Sequence, residues 1–220
     1  ACLMKDKTLV RNCLEAMQNE KIEVSMKCRI GIGRELNYDF FEEFIEEILK
    51  SGIDIIYVHA RNAILNGISP KANRNIPPLD YKFVKKIKKK FPNKKFILNG
   101  GINDLKAALD LSNQYDGVML GRLVQNDPFV LKKVDKDFYG ENYNTLITEE
   151  LISKYFNDIR PILGKDSIFR LLSPLLQIFF GIPNSKSTKI LINENIKKGK
   201  IDFIEKILLK FVNEKKLILN

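Results

Sequence analysis

Long apolar runs are missing from this sequence, and cysteines are few. No run approaches the roughly 18–20 apolar residues that a helix needs to span a bilayer, and the first residues, ACLMK, lack the basic-then-apolar order of a signal peptide. The three cysteines form no CxxC pair, which argues against a disulfide framework or structural zinc and for a reducing compartment. We therefore expect no membrane partner, no metal and a cytoplasmic protein, with an organelle as the open alternative. We also expect a monomer.

Acidic residues are outnumbered by basic ones. The chain has 37 lysines and arginines against 27 aspartates and glutamates, so its formal net charge is +10 and its isoelectric point is about 9.4. Such a charge is typical of a nucleic-acid-binding protein. Because most of the basic residues are lysines, a general bias in composition also accounts for the excess. Charge alone leaves both interpretations open.

Strand-like and helix-like segments alternate along residues 1–138. Helices are predicted over Lys5–Asn19, after the capping residue Asn37, over Tyr81–Lys90 and over Asp104–Leu111. Strands are predicted over Val24–Lys27, Ile53–Val58, Phe96–Leu98 and Gly117–Leu120, with a short helix after Asp127 and Pro128. This order indicates a parallel sheet with helical crossovers.

A polar segment at residues 139–144 interrupts the pattern, and strand signals stop beyond it. Four amphipathic helices are predicted there, over Thr148–Leu163, Ser167–Phe180, Lys186–Lys198 and Ile201–Leu217. We therefore predict an α/β domain over residues 1–140 and a small all-α helical-bundle domain over residues 145–220.

Four strand–helix units are too few for a closed (β/α)8 barrel, which needs about 250 residues. The α/β part is therefore either an open sheet or the second half of a barrel. The start without methionine favours a chain that lacks an N-terminal part. A half-barrel has two unpaired strand edges, so we expect such a fragment to fold poorly alone.

The predicted strands all end in polar, basic or glycine residues. Ligands of α/β proteins bind at the carboxyl ends of parallel strands, so these residues are the candidate site. They are Lys27 and Arg29, His59 and Arg61, the turn Asn99–Gly101, and Gly121 with Arg122.

Two of these strand ends are suited to phosphate. Glycines 100, 101 and 121 would let backbone N–H groups approach an anion, and Arg122 adds a bidentate charge. Ordinary tight turns are the alternative explanation. Lys27 calls for an anionic neighbour, either a reduced flavin or a substrate phosphate, unless its ammonium reaches solvent. His59 is either an acid–base or ligand-donating group or a structural histidine.

The long segment 64–78 is basic and rich in proline, features that favour a functional loop. The lysine-rich run 82–90 is interpreted instead as the solvated face of an outer helix.

Several motifs together resemble those of tRNA-dihydrouridine synthases. They are MKCRIG at 26–31, VHAR at 58–61, SPKANRNIPPLD at 69–80, NGGI at 99–102 and DGVMLGR at 116–122. The loop 69–80 and the FGIP at 180–183 resemble the A-type subfamily in particular. The resemblance covers nearly the whole chain.

This resemblance implies an FMN-binding (β/α)8 TIM barrel, of which the chain holds strands five to eight, followed by the helical domain. It implies reduction of D-loop uridines, at positions 20 and 20a, to 5,6-dihydrouridine in tRNA, with NADPH as the reductant. FMN contacts are implied for Lys27, His59, Asn99, Gly100, Gly101, Gly121 and Arg122. Contacts with tRNA are implied for Lys71, Arg74, Lys186 and Lys189, and we expect Arg29 and Arg61 to bind substrate as well.

The resemblance also implies a cysteine that donates a proton to the uracil ring. In the family it lies in a GCPS motif just upstream of ACLM, so we expect it before Ala1 and assign the role to none of Cys2, Cys13 and Cys28. The fragment alone is therefore expected to be inactive. Two alternatives stay open, namely another FMN-barrel oxidoreductase acting on a small molecule and a non-catalytic RNA-binding relative.

Overall fold

The structure is a computed structural model that describes residues 1–18, 22–141 and 148–214. The chain packs into two units, the first over Ala1–Gly121 and the second beginning at Arg122. The predicted ends of the first and last helices, at Asn19 and Leu217, and residues 142–144 of the polar segment lie outside the described residues.

The first unit is built on a four-stranded parallel sheet in the order β1-β2-β3-β4. Its strands are β1 (Met26–Arg29), β2 (Ile55–His59), β3 (Lys95–Asn99) and β4 (Val118–Met119). The predicted parallel sheet of four strands is confirmed, but β1 and β2 extend beyond the apolar runs to Arg29 and His59. The hydrogen-bonded ladder, rather than hydrophobicity, decides where these strands end.

Helices precede or connect the strands, as the alternating pattern predicts. They are α1 (Lys7–Gln18), α2 (Tyr38–Leu49), α3 (Tyr81–Lys90) and α4 (Leu105–Ser112), with a short 3-10 helix at Cys2–Lys5. Asn37 caps α2 as predicted, because its side-chain oxygen accepts a hydrogen bond from the backbone N–H of Phe40. Asp80 and Asp104 cap α3 and α4 in the same way.

One face of the sheet is the core of this unit. Alternate strand residues, including Ile56, Val58, Phe96 and Leu98, are fully buried with Phe44 and its apolar neighbours on α2. The residues between them, such as Tyr57 and Ile97, lie on the opposite face and are only partly buried. Polar side chains can therefore occupy this second face.

The second unit is helical. Its helices are α5 (Arg122–Asn126), α6 (Val134–Tyr139), α7 (Thr148–Ile159), α8 (Ile168–Leu172), α9 (Lys186–Lys197) and α10 (Ile201–Glu214). Four of these correspond to the predicted amphipathic helices, but the one predicted over Ser167–Phe180 is two pieces. Proline lacks an N–H donor, and after Pro174 the chain continues as a 3-10 helix over Leu175–Phe179.

The packing division lies earlier in the chain than the predicted domain boundary at 140–145. Phe129, in the 3-10 helix Pro128–Lys133, packs against the core of the second unit. Segment 122–139 therefore belongs by packing to the helices that follow it. The domain boundary read from composition stays a prediction.

In the described ranges no helix is long and apolar enough to cross a membrane.

Candidate active site at the strand ends

The sheet register brings the predicted strand-end residues into one row. Arg29 pairs with His59, His59 with Asn99, and Asn99 with Met119. Partners in parallel register point to the same face, and side chains two residues apart on a strand share that face. Lys27 therefore lies on the face of the row, which is the partly open one.

Lys27 and Asn99 are joined by a hydrogen bond. The Lys27 ammonium donates to Oδ1 of Asn99 at 3.1 Å, and Nδ2 of Asn99 donates to the carbonyl of Met119 at 2.7 Å. The second bond fixes which way the amide faces, so its oxygen points to Lys27. Desolvation lowers the pKa of Lys27, and neighbouring Arg29 lowers it further. Among the described residues, no carboxylate contributes to this shift.

The glycine turn after β3 passes close to the protein's own side chains. Gly100 and Gly101 have φ angles of +108° and +72°. A Cβ at Gly100 would overlap the ring of His59, and one at Gly101 would overlap Leu79. The hydroxyl of Tyr81 donates to the carbonyl of Gly100 at 2.6 Å and anchors the turn. Internal packing therefore requires glycine here, and phosphate binding by this turn stays a prediction.

Arg29 and Arg61 are directed at the loop that follows β2. Nη1 of Arg29 donates to the carbonyls of Asn62 and Asn73 at 2.8 and 2.9 Å. Nη1 of Arg61 donates to the carbonyls of Asn75, at 3.3 Å, and Pro77. The predicted role of both arginines in substrate binding stays a prediction, but these contacts are with the main chain of the protein.

Lys71 and Arg74 are exposed on the loop that these arginines hold. Lys71 precedes a 3-10 helix over Ala72–Arg74, and Arg74 is its last residue. Arg74 is close enough to Arg29 to lower its pKa, after burial and Arg61. Three guanidinium groups therefore lie together, and a cluster of this kind attracts anions.

Lys186 and Lys189 lie in the second unit, on the first turn of α9. Both are exposed, and their spacing of three places them on one side of the helix. The ammonium of Lys189 is 5.6 Å from the ring centroid of Phe179. Two cations beside the positive end of a helix dipole are unfavourable without an anionic partner.

Gly121 and Arg122 fall on either side of the packing division. Gly121 follows β4 and has no heavy atom within 4 Å of a Cβ built on it, apart from its chain neighbours. Arg122 is the first residue of α5, in the second unit. Their joint role at a phosphate stays a prediction.

None of the three cysteines is part of the row. Cys28 is buried on the opposite face of β1, and burial raises the pKa of its thiol to about 12. Cys2 and Cys13 are exposed on the 3-10 helix Cys2–Lys5 and on α1. Among the described residues, no group of three or more histidine, cysteine or acidic side chains could hold a metal ion.

Sequence reasoning missed several residues of this face. Tyr57 and Ile97 lie two residues before His59 and Asn99, so period-two alternation could have placed them beside the site. Leu79 and Tyr81 contact the glycine turn. No local sequence pattern predicts those two contacts, because they depend on where the long loop returns to the sheet.

Comparison with known proteins places the chain in a family. The family described as dihydrouridine synthase (Dus) matches residues 1–213. The chain belongs to the dihydrouridine synthase family.

Named relatives show which proteins of this family the chain is similar to. A tRNA-dihydrouridine(20/20a) synthase of Yersinia pestis is 35% identical over 201 residues, which cover 90% of this chain and 58% of that protein. Proteins of the same name from Shewanella oneidensis and Shigella flexneri are each 34% identical, over 90% and 92% of this chain and 60% of their own lengths. The chain thus spans about 60% of the length of the curated relatives it matches.

Proposed function

We propose that this chain is part of an A-type tRNA-dihydrouridine synthase that reduces uridines 20 and 20a in the D loop of tRNA. The observation that carries the proposal is the register row, which gathers Lys27, His59 and Asn99 on one open face of a parallel sheet. The names of the relatives support the same activity and the same two positions.

The α/β unit is proposed to be the second half of a (β/α)8 barrel. Its four strands are parallel and consecutive in the sheet. Their open face carries the polar row at the carboxyl ends, where barrel enzymes place their active sites. The open face would then line the barrel interior, and the helices would form part of the outer ring.

The residues on this face fit FMN. Lys27 is a partly desolvated cation, and no carboxylate among the described residues contributes to the shift of its pKa. Its ammonium is therefore suited to an anionic flavin ring. Asn99 holds its ammonium, and His59 lies against Gly100 at the next strand end. Gly121 and Arg122 are proposed to bind the phosphate. FMN, when bound and reduced at the expense of NADPH, would supply the reducing equivalents that saturate the C5–C6 bond of uracil.

The basic residues of the two units are proposed to bind tRNA. Lys71 and Arg74 are exposed on a loop held by the main-chain contacts of Arg29 and Arg61. Lys186 and Lys189 stand at a helix N-terminus, where an anionic phosphate is favourable and a cation alone is not. The target uridine has to leave the folded tRNA to reach the barrel, as base-modifying enzymes generally require.

The proposal is tested with the full-length protein. We expect it to purify with bound flavin and to restore dihydrouridine at positions 20 and 20a when expressed in a strain that lacks the endogenous enzyme. Mass spectrometry of the tRNA and the absorbance of the released flavin measure the two results. A colourless protein and unmodified uridines would contradict the proposal.

Two variants separate tRNA binding from flavin binding. Lys71→Met and Arg74→Met should each weaken tRNA binding and lower the slope of log affinity against log salt by about 0.7–0.9, the value for one phosphate contact. Flavin content should not change. Lys89→Met, on the exposed face of α3, removes the same charge and serves as the matched control. Turnover of a small substrate that tRNA does not inhibit would favour the small-molecule oxidoreductase instead.

A further inference from the structure

The loop between β2 and α3 carries Lys71 and Arg74 but has little structure of its own. Across residues 60–80 the only helical element is the 3-10 helix Ala72–Arg74. A loop this long in a compact unit has to find partners for its main-chain polar groups outside a helix or ladder. Backbone hydrogen bonds hold its two ends, where Ala63 pairs with Gly31 and Gly33 and Asp80 donates to Ala60, so the placement of its middle depends on particular side chains.

Two arginines supply such partners, Arg29 from the end of β1 and Arg61 from the start of the loop itself. Nη1 of Arg29 bridges the carbonyls of Asn62 and Asn73, and Nη1 of Arg61 bridges those of Asn75 and Pro77. Three of the four carbonyls lie in the second half of the loop. Asn73 is within the 3-10 helix, Asn75 directly follows it, and Pro77 is the first of the two prolines after it. Arg29 thus connects the loop to the register row of the sheet, and Arg61 connects the start of the loop to its end.

A third side chain closes the loop on itself. The amide of Asn73 donates to the carbonyl of Ile64 and accepts from its backbone N–H at 3.1 Å. Because Arg29 binds the carbonyl of the same Asn73, the start of the loop, its 3-10 helix and the end of β1 meet at one residue.

We propose that Arg29 and Arg61 are positioning residues that hold Lys71 and Arg74 in place for tRNA, and that neither arginine contacts a phosphate itself. This inference rests on the proposed function. Carbonyl oxygens carry partial negative charge, and they keep Arg29 beside Arg61 and Arg74 despite the like charges. Loss of either arginine frees the loop that presents the two exposed cations.

The test compares variants of the full-length flavin-bound protein. Arg29→Met and Arg61→Met keep the apolar stem and remove the donors, whereas Arg29→Lys keeps one donor group. Arg34→Met, in the exposed loop after β1, removes the same charge and is the matched control. Affinity for tRNA is measured across a salt series, and limited trypsin digestion measures cleavage after Lys71 and Arg74.

We expect Arg29→Met and Arg61→Met to weaken tRNA binding about tenfold, the equivalent of one hydrogen bond, with an unchanged salt slope. Cleavage after Lys71 and Arg74 should accelerate by about the same factor, and Arg29→Lys should recover part of both losses. In a protein that already carries Lys71→Met and Arg74→Met, adding Arg29→Met should cause little further loss of affinity.

Two results would overturn the inference. A salt slope reduced by about 0.7–0.9 would show that the arginine contacts a phosphate directly. Affinity and cleavage rates equal to those of Arg34→Met would show that the arginines do not hold the loop. If the unsubstituted protein bound no tRNA, the proposed function would fail, and the trypsin rates would still decide whether the arginines order the loop. If Arg29→Met did not fold, Arg61→Met and Arg29→Lys would decide.

Discussion

The α/β unit and the helical unit position their basic residues by different means. In the α/β unit a backbone ladder fixes Arg29, His59 and Asn99 in one register row. In the helical unit Lys186 and Lys189 share a helix face, and α9 packs through side chains such as Ile192 against the core of that unit. We therefore expect the strand-end site to tolerate changes in the core better than the helix-face site does.

The largest effect that tests this comparison comes from removing one core phenylalanine in each unit. Phe44→Ala and Phe156→Ala should each cost about 3–5 kcal/mol, because both rings are buried and leave a cavity. Hydrogen exchange should then show protection lost throughout α9 in the Phe156 variant, but largely kept in β2 and β3 in the Phe44 variant.

A matched control uses an exposed ring. Phe203→Ala removes a side chain that is 48% exposed on α10 and should cost much less. If β2 and β3 in Phe44→Ala lost as much hydrogen-exchange protection as α9 loses in Phe156→Ala, the comparison would be contradicted.

A smaller effect is expected at the glycine turn of the α/β unit. Gly101→Ala should cost about 2–4 kcal/mol, because it adds a contact with Leu79 to the strain of a positive φ. Gly33→Ala also has a positive φ but meets no atom within 4 Å, so it should cost about 1–2 kcal/mol. Denaturant unfolding measures both, and equal costs would mean that Leu79 yields and the close approach is not a constraint.

The smallest effect concerns the buried face of β1 and depends on pH. Burial raises the pKa of Cys28 from its ordinary value of 9.0 to about 12, so the unfolded chain releases this proton first. The stabilising contribution is complete below pH 9 and is lost as the pH rises toward 12. From neutral pH to pH 10, the free energy of unfolding should fall by about 1.4 kcal/mol more in the unsubstituted protein than in Cys28→Ala.

Thiol labelling provides a control within the same molecule. Exposed Cys2 and Cys13 should react with an alkylating agent in the native protein, whereas Cys28 should react only on unfolding. Native labelling of Cys28 at a similar rate would contradict its burial on the core face.

The sequence predicted the element order well because period and capping are local properties. Helix α3 begins and ends at its predicted residues, and Asn37 caps α2 as expected. The broken helix before Phe180 was missed, although Pro174 was visible as the cause. The candidate site was predicted in part, since strand-end positions follow from alternation and parallel topology.

By itself, the sequence determined the α/β alternation, the parallel sheet and the polar ends of the strands. These features depend on hydrophobic period and on neighbours a few residues away. Only the tertiary structure decided that Asn99 holds Lys27 and that Arg29 and Arg61 bind loop carbonyls. Those partners are far apart in the chain, and a main-chain carbonyl, present at every residue, leaves no mark in the sequence.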